Sequence, residues 1–350
     1  MQYYILKTGM PMFDLERAYG LGLIVYYLTD KETKVFDRGV YYEIESSTVD
    51  YPSISIKKDI LLSLVAEDIA SWDNILQTIK KEKVREKKKE KALTILGKRC
   101  EDVLKIYSSI SLPLVKLQET LLEPLELAAT KGLREEIRCR KYNEGKELKI
   151  SEEDWILTII GALHSVIWQF LPKENENIAI IPSPDKEKGV DVSHLRDIKE
   201  FIKVKGINRI SVTTLIAHCA VKLYQELWNR ERSPSPWVDK FANFIYGSLV
   251  KTGLQLKPKV GGYFSLEFFE KLFEINNGGD ILEHFDHILK ISNLPGQEAL
   301  AICCAEFLAN PTFENYIKFI NVYLRSALKK DMKIKRPKEE IWHEIIKCII

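Results

Sequence analysis

The sequence lacks the short motifs that identify the common nucleotide-driven and hydrolytic enzymes. Its 350 residues contain no Walker A sequence, dinucleotide-binding glycine fingerprint, EF-hand loop, H-E-x-x-H or G-x-S-x-G. It also has no adjacent His-Asp pair of the kind found in metal-dependent nucleases. Active sites also assemble from distant residues, so these absences lower the expectation of catalysis without excluding it. We therefore predict that the chain is not an enzyme and needs no cofactor.

Metal and redox spacings of cysteine are missing as well, and so are targeting and membrane segments. The six cysteines form no C-x-x-C pair, which removes zinc-ribbon and thioredoxin-like sites from consideration. The N-terminus, MQYYILKTGMP, has no basic-then-apolar signal segment. The longest apolar run, residues 155–171, is interrupted by Thr158, His164, Ser165 and Gln169, so it is short and polar for a membrane span. These features predict a cytoplasmic protein with no membrane partner.

An excess of one charge is also absent from the chain as a whole. There are 52 basic and 50 acidic residues, for a net charge of +2. This balance argues against a uniformly basic nucleic-acid coat but permits a local basic patch. Hydrophobic residues make up 45% and charged residues 29%, which is typical of a globular protein. Glutamine is scarce, while Lys, Glu and Ile are abundant, a bias that is common in hyperthermophiles.

The pattern of apolar residues predicts a small α/β beginning followed by helices. Residues 3–7 are predicted as a strand, residues 11–28 as a helix, 34–36 and 40–45 as a hairpin, and 53–57 as a third strand. The fold class is therefore predicted to be α+β and mostly α, with a helical bundle in the C-terminal portion. The predicted later helices are 58–80, 82–107, 112–130, 152–171, 194–203, 212–230, 237–252, 265–275, 279–290, 296–309, 312–329 and 337–349.

The same pattern suggests a division into domains. Residues 1–58 would form a small α/β region packed on the following helices, and residues 59–172 a helical domain. Residues 193–350 would form a C-terminal helical domain. Residues 173–192, KENENIAIIPSPDKEKGVDV, are the best candidate for a linker or long surface loop, with one short strand candidate at 178–181. A boundary near residue 58 and one within 173–192 both remain possible.

The most basic segment is Lys80–Lys91, KKEKVREKKKEK, which has eight basic and three acidic residues. One interpretation is a solvated helix laced by exposed ion pairs, since Glu82, Glu86 and Glu90 recur every four residues. The other is a stripe that contacts the phosphates of nucleic acid. We predict that six residues of this segment contact phosphate: Lys81, Lys83, Arg85, Lys87, Lys88 and Lys89.

Two further basic runs and one acidic run show that positive and negative charges are segregated along the chain. Residues 329–338 have six basic residues and one acidic residue. Residues 196–209 have five basic and two acidic residues and end in KVKGINRI, from which we add Lys205, Asn208 and Arg209 to the predicted phosphate contacts. Residues 267–286, by contrast, are strongly acidic. A basic face would bind a phosphate backbone, while an acidic face would stay away from it or meet a basic partner.

One glycine-rich segment is predicted to probe duplex DNA. Residues 255–264 read QLKPKVGGYF, in which Pro258 stiffens a loop between two lysines. Glycine permits close approach of the backbone to a groove or a phosphate, and lysine neutralises the phosphate charge. The predicted contacts of this loop are Lys257, Lys259, Gly261 and Gly262. The alternative is a plain connection between two helices.

Two weaker patterns keep an enzyme as an alternative. His284 and His287 lie three residues apart, so on a helix both imidazoles would share a face and hold a metal with a carboxylate from elsewhere. The competing interpretation is an ordinary helix face beside Phe285. Arg336 and His343 are separated by six residues, the spacing of the helical HEPN ribonucleases, which this composition also produces by chance.

Two segments resemble a known family. They are Gly9-Met10-Pro11-Met12-Phe13-Asp14 running into RAYGLGLIVYYL, and residues 243–264, which begin Asn243-Phe244-Ile245-Tyr246-Gly247-Ser248-Leu249. With them, the chain resembles the large subunit of archaeal type I-A CRISPR Cascade complexes. The length, the small α/β beginning and the thermophile-like composition agree with this resemblance.

The resemblance implies a role without catalysis. Such a subunit helps to recognise the protospacer-adjacent motif on double-stranded target DNA, beside the crRNA-bearing Cascade subunits, and supports R-loop formation. It also helps to recruit the helicase–nuclease, while the guide RNA reads the remaining target by base pairing. A helical scaffold without affinity for nucleic acid is the alternative from a different class.

Overall fold

The computed structural model describes residues 2–46, 54–67, 81–108, 151–171, 175–202, 204, 211–231, 239–252, 255–291, 297–328 and 339–349. Their strands are β1 (Gln2–Leu6), β2 (Thr33–Asp37), β3 (Tyr41–Ser46), β4 (Ile167–Leu171), β5 (Glu176–Pro184), β6 (Val190–Asp191), β7 (Phe241–Thr252) and β8 (Gln255–Ser265). Their helices are α1 (Pro11–Thr29), α2 (Ile54–Glu67), α3 (Glu82–Tyr107), α4 (Glu152–Ser165), α5 (Leu195–Phe201), α6 (Val212–Glu231), α7 (Glu267–Phe273), α8 (Gly278–Ile291), α9 (Glu298–Ala309), α10 (Phe313–Ala327) and α11 (Glu339–Ile349). The predicted class, α+β and mostly helical, is confirmed.

The first sheet combines the N-terminal strands with one short strand from much later in the chain. Its order is β1-β3-β2-β6, and neighbouring strands are antiparallel. Ile44 of β3 lies opposite Tyr3 on one side and Val35 on the other. The predicted hairpin is confirmed: Gly39 takes a positive φ of 84° in its turn, and its N–H donates to Oδ1 of Asp37 at 2.8 Å.

Helix α1 lies between this sheet and α4, and it is buried on almost all sides. Pro11 begins it, as predicted, because the first helical position needs no N–H donor. Two glycines bring α1 and α4 unusually close together. A Cβ added to Gly20 would lie 1.9 Å from the Leu157 carbonyl oxygen, and one added to Gly161 would lie 1.8 Å from that of Glu16. Only glycine fits at these two contact points.

The second sheet has the order β4-β5-β7-β8 and is also antiparallel. Its strand β5 corrects the interpretation of residues 173–192 as a linker or surface loop. Ile178, Ile180 and Ile181 are fully buried, and β5 pairs with β4 on one side and β7 on the other. A strand in the middle of a sheet forms backbone hydrogen bonds with both neighbouring strands. A buried loop at this place would leave backbone N–H and C=O groups without partners. How the chain divides into domains stays a prediction.

The long hairpin of β7 and β8 corrects two further predictions. Residues 237–252, predicted as a helix, form β7 from Phe241, and residues 255–264, predicted as a loop, lie within β8. Gly247 lies opposite Gly261, and the register of the two strands shifts between Gly247 and Leu249, as at a β-bulge. Pro258 is tolerated because β8 is an edge strand of the sheet.

Two shorter predictions are also wrong. Residues 53–57, predicted as a strand, fall mostly in α2, which begins at Ile54. The predicted helix 152–171 stops at Ser165, and β4 follows at Ile167. At this end the side chains of His164 and Ser165 bind the carbonyls of Ile160 and Gly161, at 3.0 and 2.7 Å, and Val166 adopts an extended conformation that leads into β4.

The C-terminal portion is a helical bundle built by α6 to α11 around aromatic rings. Phe307 is at its centre, with ring centroids of Phe268 at 5.3 Å, Phe319 at 5.9 Å and Phe285 at 6.2 Å. Six helices predicted here and one predicted earlier are confirmed within a few residues at each end: 212–230, 265–275, 279–290, 296–309, 312–329, 337–349 and 82–107. The predicted helix 112–130 lies outside the described residues. None of the described helices has the length and apolar character to cross a membrane.

Candidate nucleic-acid interface

Helix α3 has two halves with different surroundings. The helix has 26 residues, which correspond to a length of about 39 Å at about 1.5 Å per residue. From residue 81 to residue 91 no side chain is buried, and we call this segment the basic arm. The remainder buries one face against the body of the protein, through Ala92, Ile95, Leu96, Cys100, Val103, Leu104 and Tyr107.

The basic arm brings together the predicted phosphate contacts of this helix. It has seven basic and three acidic residues, for a net charge of +4. Lys81, Lys83 and Lys87 are exposed, whereas Arg85, Lys88 and Lys89 are half-buried. Within the part of the chain that the structure describes, no ion pair involves Lys81, Lys83, Lys87 or Lys89. Exposed lysines without an acidic partner are suited to contacts with phosphate.

The β7–β8 hairpin gives the predicted duplex-probing residues a different setting. Lys259 Nζ lies 2.8 Å from Oε2 of Glu176, a fully buried carboxylate at the start of β5. Gly262 lies opposite Tyr246, and a Cβ there would approach the Tyr246 hydroxyl to 3.1 Å. Lys259 therefore compensates a buried charge, and Gly262 makes room for a tyrosine.

The remaining predicted contacts lie in β8 or outside the described residues. Gly261 lies in β8 opposite Gly247, and the backbone of Lys257 lies opposite Val250, while the Lys257 side chain is outside what the structure describes. Lys205, Asn208 and Arg209 are also outside the described residues. The basic arm belongs to a helix that packs on α1, α2, α4 and β1, whereas β8 packs on β7. The two predicted sets thus occupy different elements of the fold.

His284 and His287 do not belong to a metal site among the described residues. His284 is only 7% exposed, and the rings of Tyr323 and Trp342 lie edge-on to it at 5.6 and 5.4 Å. No group of three metal-ligating side chains occurs in the described part of the chain. His284 is thus part of the aromatic core. His343 is exposed on α11, and its predicted companion Arg336 lies outside the described residues.

Sequence reasoning missed two histidine–aspartate pairs. His194 Nδ1 lies 2.6 Å from Oδ2 of Asp239, and His218 Nε2 lies 2.7 Å from Oδ1 of Asp286. The paired residues are 45 and 68 positions apart, so no local motif reveals either pair. Two lysines, Lys222 and Lys290, also contact Asp286.

The two pairs have opposite electrostatics. Burial opposes the charging of His194, but the bond to Asp239 and the charges of Asp239, Asp191 and Asp197 outweigh it, so the pKa of His194 is raised. For His218 burial dominates, and its pKa is lowered despite Asp286. Burial would raise the pKa of Asp286, but bonds from His218, Lys290 and Lys222 hold it well below its usual range.

A buried ionic network near α3 was also missed. Arg17 is 1% exposed, and its Nε donates to Oδ1 of Asp154 at 2.7 Å. The Tyr107 hydroxyl donates to the same oxygen at 2.6 Å, and Arg17 also contacts Asp14 and the Leu6 carbonyl. The network ties α1, α3, α4 and β1 together. Arg17 and Asp154 are 137 residues apart, and no sequence pattern connects them.

Comparison with known proteins gives one full-length relative of this chain. No protein-family model matches the sequence. The chain is 33% identical over 359 aligned positions to an uncharacterized protein of Archaeoglobus fulgidus. The alignment covers 99% of this chain and 98% of the relative. This chain therefore belongs to the same family as the uncharacterized archaeal protein.

Proposed function

We propose that this chain is a non-catalytic DNA-binding subunit of a type I-A CRISPR RNA-guided surveillance complex. The observation that carries the DNA-binding part is the basic arm, in which exposed lysines without ion pairs among the described residues project from a helix anchored by its other half. The assignment to the complex rests on the resemblance of residues 9–14, with the helix that follows, and of residues 243–264. The archaeal origin of the relative agrees with that assignment.

In this proposal the chain contacts target DNA through its phosphates. Lysines of the basic arm displace counterions from the duplex or from a displaced strand, which gives affinity without dependence on base sequence. The arm would thereby help to hold the DNA while the guide RNA pairs with its target. The partners are double-stranded target DNA, the crRNA-bearing Cascade subunits and the helicase–nuclease.

Recognition of the protospacer-adjacent motif would use the β7–β8 hairpin. β8 is exposed before and after its glycines, since Val260 is 40% and Tyr263 is 49% exposed. β7 pairs with β5 as far as Val250, so the two-stranded ribbon is the tip of the hairpin, where Lys251 and Thr252 lie opposite Leu256 and Gln255. A ribbon of two strands is narrow enough to enter the major groove of B-DNA. Lys259 is held by Glu176, so we assign it to the support of the hairpin rather than to a phosphate.

The first test measures binding of labelled duplex DNA by the full chain at several salt concentrations. Replacing Lys83 and Lys87 together by Gln removes two exposed charges one helical turn apart. We expect weaker binding to every sequence and a flatter dependence of log K on log salt, by about 0.9 per lost contact. Lys98 and Lys105 are exposed on the packed half of the same helix, so the double change Lys98→Gln and Lys105→Gln is the matched control.

The control variant should keep the salt slope of the unmodified protein. If both double variants lose affinity equally, then only net charge matters and the basic arm has no special role. No binding at low salt, alone or with the proteins encoded beside this gene, would favour the scaffold instead. Cleavage of labelled RNA that disappears in His343→Ala would favour the ribonuclease.

The second test uses the crRNA-loaded assembly with this chain included. Binding to a target with its flanking motif is compared with binding to the same target with that motif scrambled. We expect the arm variant to weaken both equally, and Lys257→Gln to reduce the ratio between them. A ratio that is unchanged by Lys257→Gln would remove the hairpin from motif recognition and leave the phosphate contacts in place.

A further inference from the structure

Helix α10 presents an apolar stripe to solvent. Phe313, Ile317, Leu324 and Leu328 are 59%, 42%, 53% and 76% exposed. The opposite side of the helix packs into the bundle through Tyr316, Phe319, Tyr323 and Ser326. The outer stripe therefore contributes little to the packing of the bundle, and burying it against another molecule would release its apolar surface from water.

The spacing of the stripe is that of a helix-pairing seam. Ile317, Asn321, Leu324 and Leu328 follow one another at intervals of four, three and four, which are the a and d positions of a heptad. Asn321 is exposed, and a single asparagine at an a position is a known device for fixing the register of paired helices. A stripe of two residues per heptad is as narrow as the contact with one partner helix.

The charge beside the stripe selects the partner. Lys318 lies 2.7 Å from Glu314 of the same helix, so its charge is largely balanced. Arg325 is exposed and takes part in no ion pair of the described residues, and Lys329 and Lys330 follow the stripe in sequence. A second copy of this chain would repeat the same positive charge, whereas carboxylates beside the seam of a partner would complement it.

The width of the stripe also argues against a lipid surface. A helix that lies in a membrane interface needs a broad apolar face. Here the broad face is already buried in the bundle, and the outer stripe is interrupted by Asn321 and bordered by Lys318 and Arg325. Its shape fits a helix better than a bilayer.

We propose that the outer face of α10 is a docking site for an amphipathic helix of another protein. That helix has leucine-type residues along its seam and acidic residues beside them, at least one of which pairs with Arg325. The site is distinct from the basic arm, and the proposal does not depend on the assignment to a surveillance complex.

The test uses two synthetic helical peptides, each three heptads long, with leucine at the a and d positions. One has glutamate and the other has lysine at the flanking positions. Fluorescence anisotropy with the full chain should show binding of the glutamate peptide and at least tenfold weaker binding of the lysine peptide. In Arg325→Glu, the preference should shift by at least tenfold towards the lysine peptide.

A paired variant maps the binding to the stripe. Ile317→Gln with Leu324→Gln should weaken the glutamate peptide at least tenfold, because two apolar contacts are lost at exposed positions. The matched control changes two exposed apolar residues elsewhere, Val40→Gln and Ile60→Gln, which are 69% and 53% exposed in the unmodified protein, and it should keep full affinity. Circular dichroism confirms that both double variants are folded.

Four results would overturn the proposal. The first two are the absence of peptide binding and equal binding of both peptides. The third is a dimer in sedimentation equilibrium that dissociates in the variant Ile317→Gln with Leu324→Gln. The fourth is binding to phosphatidylglycerol vesicles that the same variant abolishes. The dimer would make a second copy the occupant, and vesicle binding would make it a lipid surface.

Discussion

The two halves of α3 have the same helical backbone and opposite relations to the rest of the protein. The basic arm buries no side chain, while the half that follows buries seven residues. The packed half also closes the ionic network, because Tyr107 shares Asp154 with Arg17. One half thus anchors the helix, and we expect the other half to contribute little to the stability of the fold.

We expect the two halves of α3 to differ most in stability at the buried ionic network of Arg17, Asp154 and Tyr107. Burial raises the pKa of Tyr107, and the negative charge of Asp154 raises it further, so the tyrosine stays a hydrogen-bond donor. Burial opposes the charge of Arg17, but Asp154, Tyr107 and Asp14 keep it protonated. A buried carboxylate that loses its cation is left uncompensated, which is more costly than the loss of the contact itself.

Replacement of Arg17 by Met should have the largest effect on stability. The change leaves Asp154 and Asp14 buried without their cation, and we expect a loss of about 3–5 kcal/mol in the free energy of unfolding. Lys87→Met on the basic arm should change it by less than about 0.5 kcal/mol. Urea denaturation measures both variants. Similar losses in the two would show that the basic arm also stabilises the fold.

A pair of apolar truncations on α3 tests the same contrast without charge. Leu96 is fully buried and Val84 is 38% exposed. Leu96→Ala should cost about 2–5 kcal/mol, since it leaves a cavity in the core. Val84→Ala should cost less than about 0.5 kcal/mol. Thermal unfolding of the two proteins at one pH is sufficient, and a large loss in Val84→Ala would show that the basic arm contributes to the stability of the fold.

The smallest expected difference between the basic arm and the rest of the protein is in how pH affects DNA binding and fold stability. The basic arm contains no histidine, the side chain that titrates nearest to neutral pH, so we expect no change in its proposed DNA contacts between about pH 5.5 and 8.5. In the body, the raised pKa of His194 means that its bond to Asp239 stabilises the fold fully below the unfolded pKa of about 6.5. This stabilisation is lost as the pH rises through the folded pKa.

The variant His194→Gln should therefore destabilise the protein more at about pH 5.5 than at about pH 8.5. Buried His218, with its lowered pKa, acts in the opposite direction, so the quantity to measure is the difference between variant and unmodified protein at each pH. The control is His343→Gln, which removes an exposed histidine from α11. An equal destabilisation at both pH values would show that the His194–Asp239 pair is not titrated in this range.

Most helices could be predicted from the sequence because their apolar spacing is unambiguous. The sequence predicts a helix at residues 82–107, and α3 has these same bounds. Strands β7 and β8 could not be predicted in the same way. The sequence of β7, FANFIYGSLVKT, fits a helix as well as a strand, and in β8 the residues Pro258, Gly261 and Gly262 suggest a loop. Pairing with β5 decides between these possibilities, and that pairing joins residues about seventy positions apart, such as Ile178 and Ser248.

The candidate sites show the same limit. The basic arm is local in sequence, so its charge and exposure could be predicted from one segment. The role of Lys259 depends on Glu176, which is 83 residues away, and Arg17 depends on Asp154. The apolar spacing predicts the helix at residues 312–329, but only the packed bundle shows which apolar residues of α10 remain in solvent.

The length of the basic arm limits what it can do alone. Its helical part, residues 82–91, is about 15 Å long, less than half of one turn of B-DNA at about 34 Å. Such a short contact meets few phosphates, and at physiological salt it gives only weak affinity. In the proposed complex, where other subunits hold the same DNA, the arm would act at a high effective concentration, and a few weak contacts would then multiply the affinity of the whole assembly. The arm is thus suited to cooperation with binding that has already begun.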